Sequence, residues 1–144
     1  MDSPFDYIKR AIDRIFGVKF DDVSPMLRDP VTLVLIIIDF YNDDLKIGID
    51  YQDRCHYDRH FCQSELDFRN LQRQDEEKKK RCRQKGILLI TVPYTKAGND
   101  VEWYIKNAID SLRCSPLRTL SLRMIRLNKI DTSKIPKAIL PELY

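Results

Sequence analysis

LVLIIIDFYNDDLKIGIDYQ, residues 33–52, decides the fold. Residues 33–40 are an almost unbroken, β-branched apolar run, the pattern of a central strand covered on both faces. Asn42-Asp43-Asp44 supplies turn chemistry, and residues 46–52 return as a second strand, so the stretch predicts a hairpin with a short loop. Strand side chains alternate between faces, which puts Asp50 and Gln52 on one side and Ile47 and Ile49 on the other. Gly48 falls on the polar side and is expected to leave open space beside Asp50, while Asp39 closes the first strand. Two carboxylates on paired strands suit a hard divalent cation, because magnesium takes one or two carboxylates and completes its shell with water and phosphate oxygens. The same residues also read as a strand-end cap at Asp39 and a solvated edge acid at Asp50, and spacing alone does not separate the two.

Upstream, Ser3-Pro4 is a helix start, Phe5, Ile8, Ile12, Ile15 and Phe16 share a helical face, and Gly17 ends it. Residues 18–20 read as a short strand and residues 21–30, with two prolines, as a loop. Downstream, residues 64–85 form a long charged helix stopped by Gly86. Residues 87–92 are another buried strand closed by Pro93, and residues 100–113 a final amphipathic helix. If the last strand runs parallel to its predecessor, the long helix is a crossover lying on one sheet face. On that helix Phe68, Leu71, Asp75, Lys78 and Cys82 form one stripe, which should face the sheet. Asp75 and Lys78 therefore interrupt a face meant for burial, which is costly unless they are paired or used. Pairing with each other at i,i+3, or a rotated helix that leaves both wet, also accounts for them.

The length of 144 residues is that of one domain, with residues 1–113 as its body and residues 114–144 as a basic, leucine-rich extension that wraps its own domain or docks on a protein partner or a second copy. A net charge of +3 permits a nucleic-acid partner without requiring one. No apolar run reaches membrane-spanning length and the first residues lack a signal pattern, so a soluble, intracellular, reducing setting with free thiols is expected. Cys55, His56, His60 and Cys62 are zinc-ligand types, but no CxxC pairs them, and buried thiols with a strand-end histidine are the expected reading.

Together these blocks resemble a pattern of the restriction-endonuclease-like superfamily, whose nucleases carry the PD-(D/E)XK motif. Its viral and mobile-element members show a block close to LDFY…LKIAIEYQGxQHY, then F…RDxxKxxxCxxxGIxLIxVPY and a helix near IExYI. The corresponding stretches here are IIIDFYNDDLKIGIDYQDRCHY (36–57), FRNLQRQDEEKKKRCRQKGILLITVPYT (68–95) and DVEWYIKNAI (100–109). The spacing from Asp75 through Lys78 and Cys82 to Gly86 is intact.

The resemblance implies an α/β fold with an αβββαβ core, a mixed sheet flanked by helices, and a magnesium- or manganese-dependent endonuclease acting on DNA. It matches Asp39 to the first metal-binding acid, Asp50 to the second and Gln52 to the motif lysine. A backbone carbonyl after Asp50 would add a metal ligand. Lys78, with Gln52, would orient the attacking water, His56 would position a phosphate or act as acid, and Asp75 would hold Lys78. Three departures stand out: aspartate instead of glutamate at 50, Asp53-Arg54 for Gly-Glu, and Cys55 for glutamine. They favour a second expectation, a non-catalytic relative serving as a structural or interaction protein in a viral assembly.

Overall fold

The computed structural model describes residues 2–21 and 27–111, so the expected extension at 114–144 and the last two residues of the expected final helix lie outside the described residues. Helix α1 (Pro4–Phe16) begins on a capping box in which Ser3 and Asp6 satisfy each other's backbone N–H groups, and it stops at Gly17, whose φ of 61° is left-handed. Its buried face is Ile8, Ala11, Ile12, Ile15 and Phe16. Phe5, expected on that face, is half exposed and instead meets the rings of Phe40 and Tyr51.

The main sheet has three strands, β3 (Phe40–Asn42), β4 (Ile47–Gln52) and β5 (Leu88–Pro93), in the order β3-β4-β5. The β3–β4 pair is the expected antiparallel hairpin, with Phe40 opposite Ile49, and its turn is held by Asn42 Oδ1, which accepts the Leu45 N–H at 2.8 Å. Strand β5 runs parallel to β4, with Ile49 opposite Ile90 and Gln52 opposite Pro93. Helix α2 (Glu65–Gln84) is therefore the crossover between them, and α3 (Asn99–Ser111) follows. One sheet face packs Ile47, Ile49, Ile90 and Val92 against α1 and α3. The other packs Ile38 and Tyr41 against Cys82 of α2, with Leu89 at the margin. The chain is thus an α/β protein with helices on both faces of a mixed sheet. Among the described residues no helix is long and apolar enough to cross a membrane.

The apolar run at 33–40 is not the central strand. It splits into β2 (Leu35–Ile36), which pairs only with β1 (Leu27–Arg28), and the start of β3. Val31, Leu33, Val34, Leu35 and Ile37 stand exposed, Val31 at 77%. The cause lies at Asp29, which ties this segment into a separate two-stranded ribbon. Its Oδ1 accepts the N–H groups of Val31 and Thr32, its carbonyl accepts the Leu33 N–H, and Leu33 is drawn to φ 59°. The expected loop at 21–30 thereby contributes a strand. The expected strand at 18–20 is replaced by a single bridge one residue on, where Asp21 and Tyr41 exchange backbone hydrogen bonds at 2.8 Å.

Gly48 has no open space beside it. A Cβ there would stand 3.0 Å from Ile38 Cγ2 and 3.4 Å from Leu89 Cδ1, and Ile38 is fully buried. The glycine lets Ile38 lie against the middle of β4, next to Asp50. Gly48→Val is expected to destabilise the fold by about 2 kcal/mol through overpacking, read as a lower urea midpoint with an unchanged slope.

Candidate functional site

Asp50 lies on the central strand β4 with its side chain only 4% exposed, and a carboxylate in that position requires a partner. Lys78 of α2 supplies it, with Nζ 2.6 Å from Asp50 Oδ2. Asp39, just before β3, grips the same stretch twice. Its N–H donates to Asp50 Oδ1 at 3.3 Å, and its Oδ2 accepts the Tyr51 N–H at 2.8 Å. Tyr51 lies beyond the end of the β3–β4 pairing, so its carbonyl shares that unpaired edge with the Asp39 carboxylate. Burial raises the Asp39 carboxyl above its ordinary value; the Tyr51 N–H pulls the other way, and the adjacent Asp50 carboxylate raises it further.

His56 and Asp75 form a second pair, Nδ1 to Oδ2 at 2.7 Å, both largely buried. An ionised carboxylate can only accept, so Nδ1 carries the hydrogen, and Nε2 is left to accept elsewhere, or to donate once the ring is protonated. His56, Asp75 and Lys78 line one wall of a cavity of about 240 Å³ whose other wall is the apolar ribbon, including Leu35 and Ile37. Asp39 opens instead onto a cleft of about 300 Å³ beside Lys9 and Lys19.

All six expected site residues thus lie around one end of β4, but two expected pairings are different. Asp75 does not hold Lys78; it holds His56, and Lys78 reaches across to the sheet. Gln52, buried on the Asp50 face as expected, has its amide oxygen occupied by the Tyr57 hydroxyl at 2.6 Å. The Cys55 and Cys62 thiols donate into the main chain, to the carbonyls of Phe61 and Cys55. Cys82, at the end of the α2 stripe, is buried and its thiol pushed up to about 11 by that burial. Sequence reasoning missed the Asp29–Arg73 ion pair at 2.9 Å, which fastens the ribbon to α2 over the cavity. The Asp29-Pro30 turn signal was its available trace.

Among the described residues no three or more His, Cys, Asp or Glu side chains converge on a metal-holding position, so the acidic centre is the pair Asp39 and Asp50. That pair fits a hard cation. It offers oxygen ligands only and brings two carboxylates together against a single ammonium, the Asp50 carboxylate adding to the burial that raises the Asp39 carboxyl.

The chain is 32% identical over 96 residues to the uncharacterized protein 033L of Invertebrate iridescent virus 3 and 38% identical over 101 residues to the uncharacterized protein 307L of Invertebrate iridescent virus 6. It is 32% identical over 103 residues to the uncharacterized protein 094L of Frog virus 3. These matches take in 65%, 65% and 69% of this chain, which spans 50% of each of the first two relatives and 65% of the third. No family model matches the chain, and no solved structure matches it.

Proposed function

We propose that the protein is a metal-dependent phosphodiester hydrolase, an endonuclease acting on DNA, on a restriction-endonuclease-like core. The observation that carries this reading is the contact of Asp39 and Asp50 at the end of the central strand, with Lys78 brought onto Asp50 by the crossover helix. The element order, a helix, a hairpin, a crossover helix and a parallel strand, supports αββαβ of the αβββαβ core, and the remaining strand is reduced to the Asp21–Tyr41 bridge beside β3. Relatives from iridescent viruses and Frog virus 3 support a viral setting.

Asp39 and Asp50 would hold magnesium or manganese, with the Tyr51 carbonyl on the same edge. When bound, the cation would supply a water of lowered pKa and offset charge on the scissile phosphate. Lys78 would orient that water and stabilise the extra negative charge as the phosphorus becomes five-coordinate. His56, fixed by Asp75, would, when protonated, donate from Nε2 to a phosphate oxygen or to the leaving oxygen. The exposed Lys80 of α2 would contact the phosphate backbone without reading sequence.

Two observations favour a second reading, an inactive relative serving as a structural or interaction protein in a viral assembly: Lys78 already neutralises Asp50, and Tyr57 already occupies Gln52. Supercoiled plasmid decides between them. Incubated with magnesium or manganese, the full chain is expected to yield nicked and linear DNA, with EDTA, Asp39→Ala and Lys78→Ala each abolishing the products. Cutting that survives both substitutions would reject this site, and no cutting of plasmid or of single-stranded substrates with either metal would favour the inactive relative.

A further inference from the structure

The turns after β4 and β5 leave three aromatic rings in water beside a polar site. Tyr57, Phe61 and Tyr94 are 49%, 48% and 36% exposed, and none belongs to either buried cluster. They are not scattered. The Tyr57 and Tyr94 rings lie 5.8 Å apart, and the exposed Arg54 lays its guanidinium 3.7 Å from the centre of the Phe61 ring and 5.9 Å from that of Tyr94. A contiguous exposed patch of this kind marks an interaction surface far more often than a single exposed ring does.

The patch is built onto the candidate site. The Tyr57 hydroxyl donates to the Gln52 side chain, and the Tyr94 N–H donates to the Gln52 carbonyl at 2.8 Å. Gln52 is two residues, about 7 Å, along β4 from Asp50 and on its face. Asp53 and Asp58 each turn an oxygen onto the N–H groups of Cys55 and His60, and among the described residues neither forms an ion pair with Arg54. Arg59, on the same segment, is instead paired with Glu65 at 3.2 Å, so the cation of the patch is Arg54.

We propose that Tyr57, Phe61, Tyr94 and Arg54 form a stacking platform for unpaired nucleobases, so that the strand entering the hydrolytic site is single-stranded next to the scissile phosphate. The substrate class rests on the hydrolase reading. The reason for an unpaired strand is geometric: within a duplex both faces of each base are covered by its neighbours, whereas an unpaired base offers a free face to aromatic rings and to a guanidinium plane. Stacking on a face common to every base also tolerates any sequence.

The test is fluorescence anisotropy of the full chain in EDTA, with labelled oligo(dT), oligo(rU) and a DNA duplex of equal length. The chain is expected to bind a single strand more tightly than the duplex, and the tighter of the two single strands identifies the sugar. Phe61→Ala and Tyr94→Ala should each weaken single-strand binding about ten-fold, leave duplex binding unchanged, and Tyr94→Phe should restore it. Equal losses on all three nucleic acids, no loss, or a preference for duplex would overturn the platform. Because EDTA removes cleavage from the readout, the two readings fail separately. Platform binding with no cutting of either plasmid or the bound single strand, with magnesium or manganese, would end the hydrolase alone. Cutting by a chain whose Phe61→Ala and Tyr94→Ala forms bind single strands normally would end the platform alone.

Discussion

Lys78→Met should destabilise the protein by about 3 kcal/mol and remove cutting together, because it strands the Asp50 carboxylate. Asp50 is buried to 3% exposure, and its charge is met by Nζ at 2.6 Å and one longer N–H from Asp39. Methionine keeps most of the Lys78 stem and so isolates the loss of the ammonium from a loss of packing. The double variant Asp50→Asn, Lys78→Met separates the causes. Removing both charges deletes the unpaired carboxylate, so much of the lost stability should return while cutting stays absent. Urea unfolding of the two single variants and the double variant gives the coupling directly. Additive losses would mean that the ion pair does not anchor α2 to the sheet.

Local alternation carried the readable part of the site. Asp50 and Gln52 share a face of β4 because a strand has a period of two, and Cys82 faces inward because the α2 stripe repeats at three and four. Neither inference needs a partner element. The run at 33–40 misled for the opposite reason. A continuous apolar stretch is equally apolar whether a helix covers it or water does, and what pulled it away from the sheet was Asp29, a residue outside the run that closes a tight turn on Val31 and Thr32. The ion pairs were legible only as candidates. The spacing of Asp75 and Lys78 makes them neighbours on a helix, but each reaches outward instead, to His56 in the turn after β4 and to Asp50 on the strand. Those choices depend on how α2 sits against the sheet, which no window of sequence contains. The exposed rings at 57, 61 and 94 were hidden likewise, since only the parallel pairing of β4 and β5 brings their two turns together.

Asp39→Asn should lower cutting on the order of a thousand-fold, the scale of removing one preorganised charge from a phosphoryl-transfer site, and should stabilise the metal-free fold above neutral pH. The stability sign follows from the carboxyl's own shift. Burial first, and then the Asp50 carboxylate, hold Asp39 above its ordinary value in the folded chain. A carboxyl raised on folding contributes stability below its unfolded pKa, near 3.9, and that contribution is lost as pH rises through the folded value. In EDTA at mildly alkaline pH the wild type therefore holds an unfavourable charge that the asparagine lacks, while asparagine's oxygen still accepts the Tyr51 N–H. The variant should melt at the higher temperature there, and the gap should close as the solution is acidified towards that unfolded value. Magnesium should reverse the order. Bound to the ionised pair, it would stabilise the wild type by mass action, about 2.7 kcal/mol at a hundred times its dissociation constant, whereas the variant has lost half of its carboxylate ligands and should shift little. Melting curves with EDTA and with magnesium, across pH, read both signs at once. An equal magnesium shift in the two proteins would place the cation away from Asp39 and leave the acid pair without its proposed role.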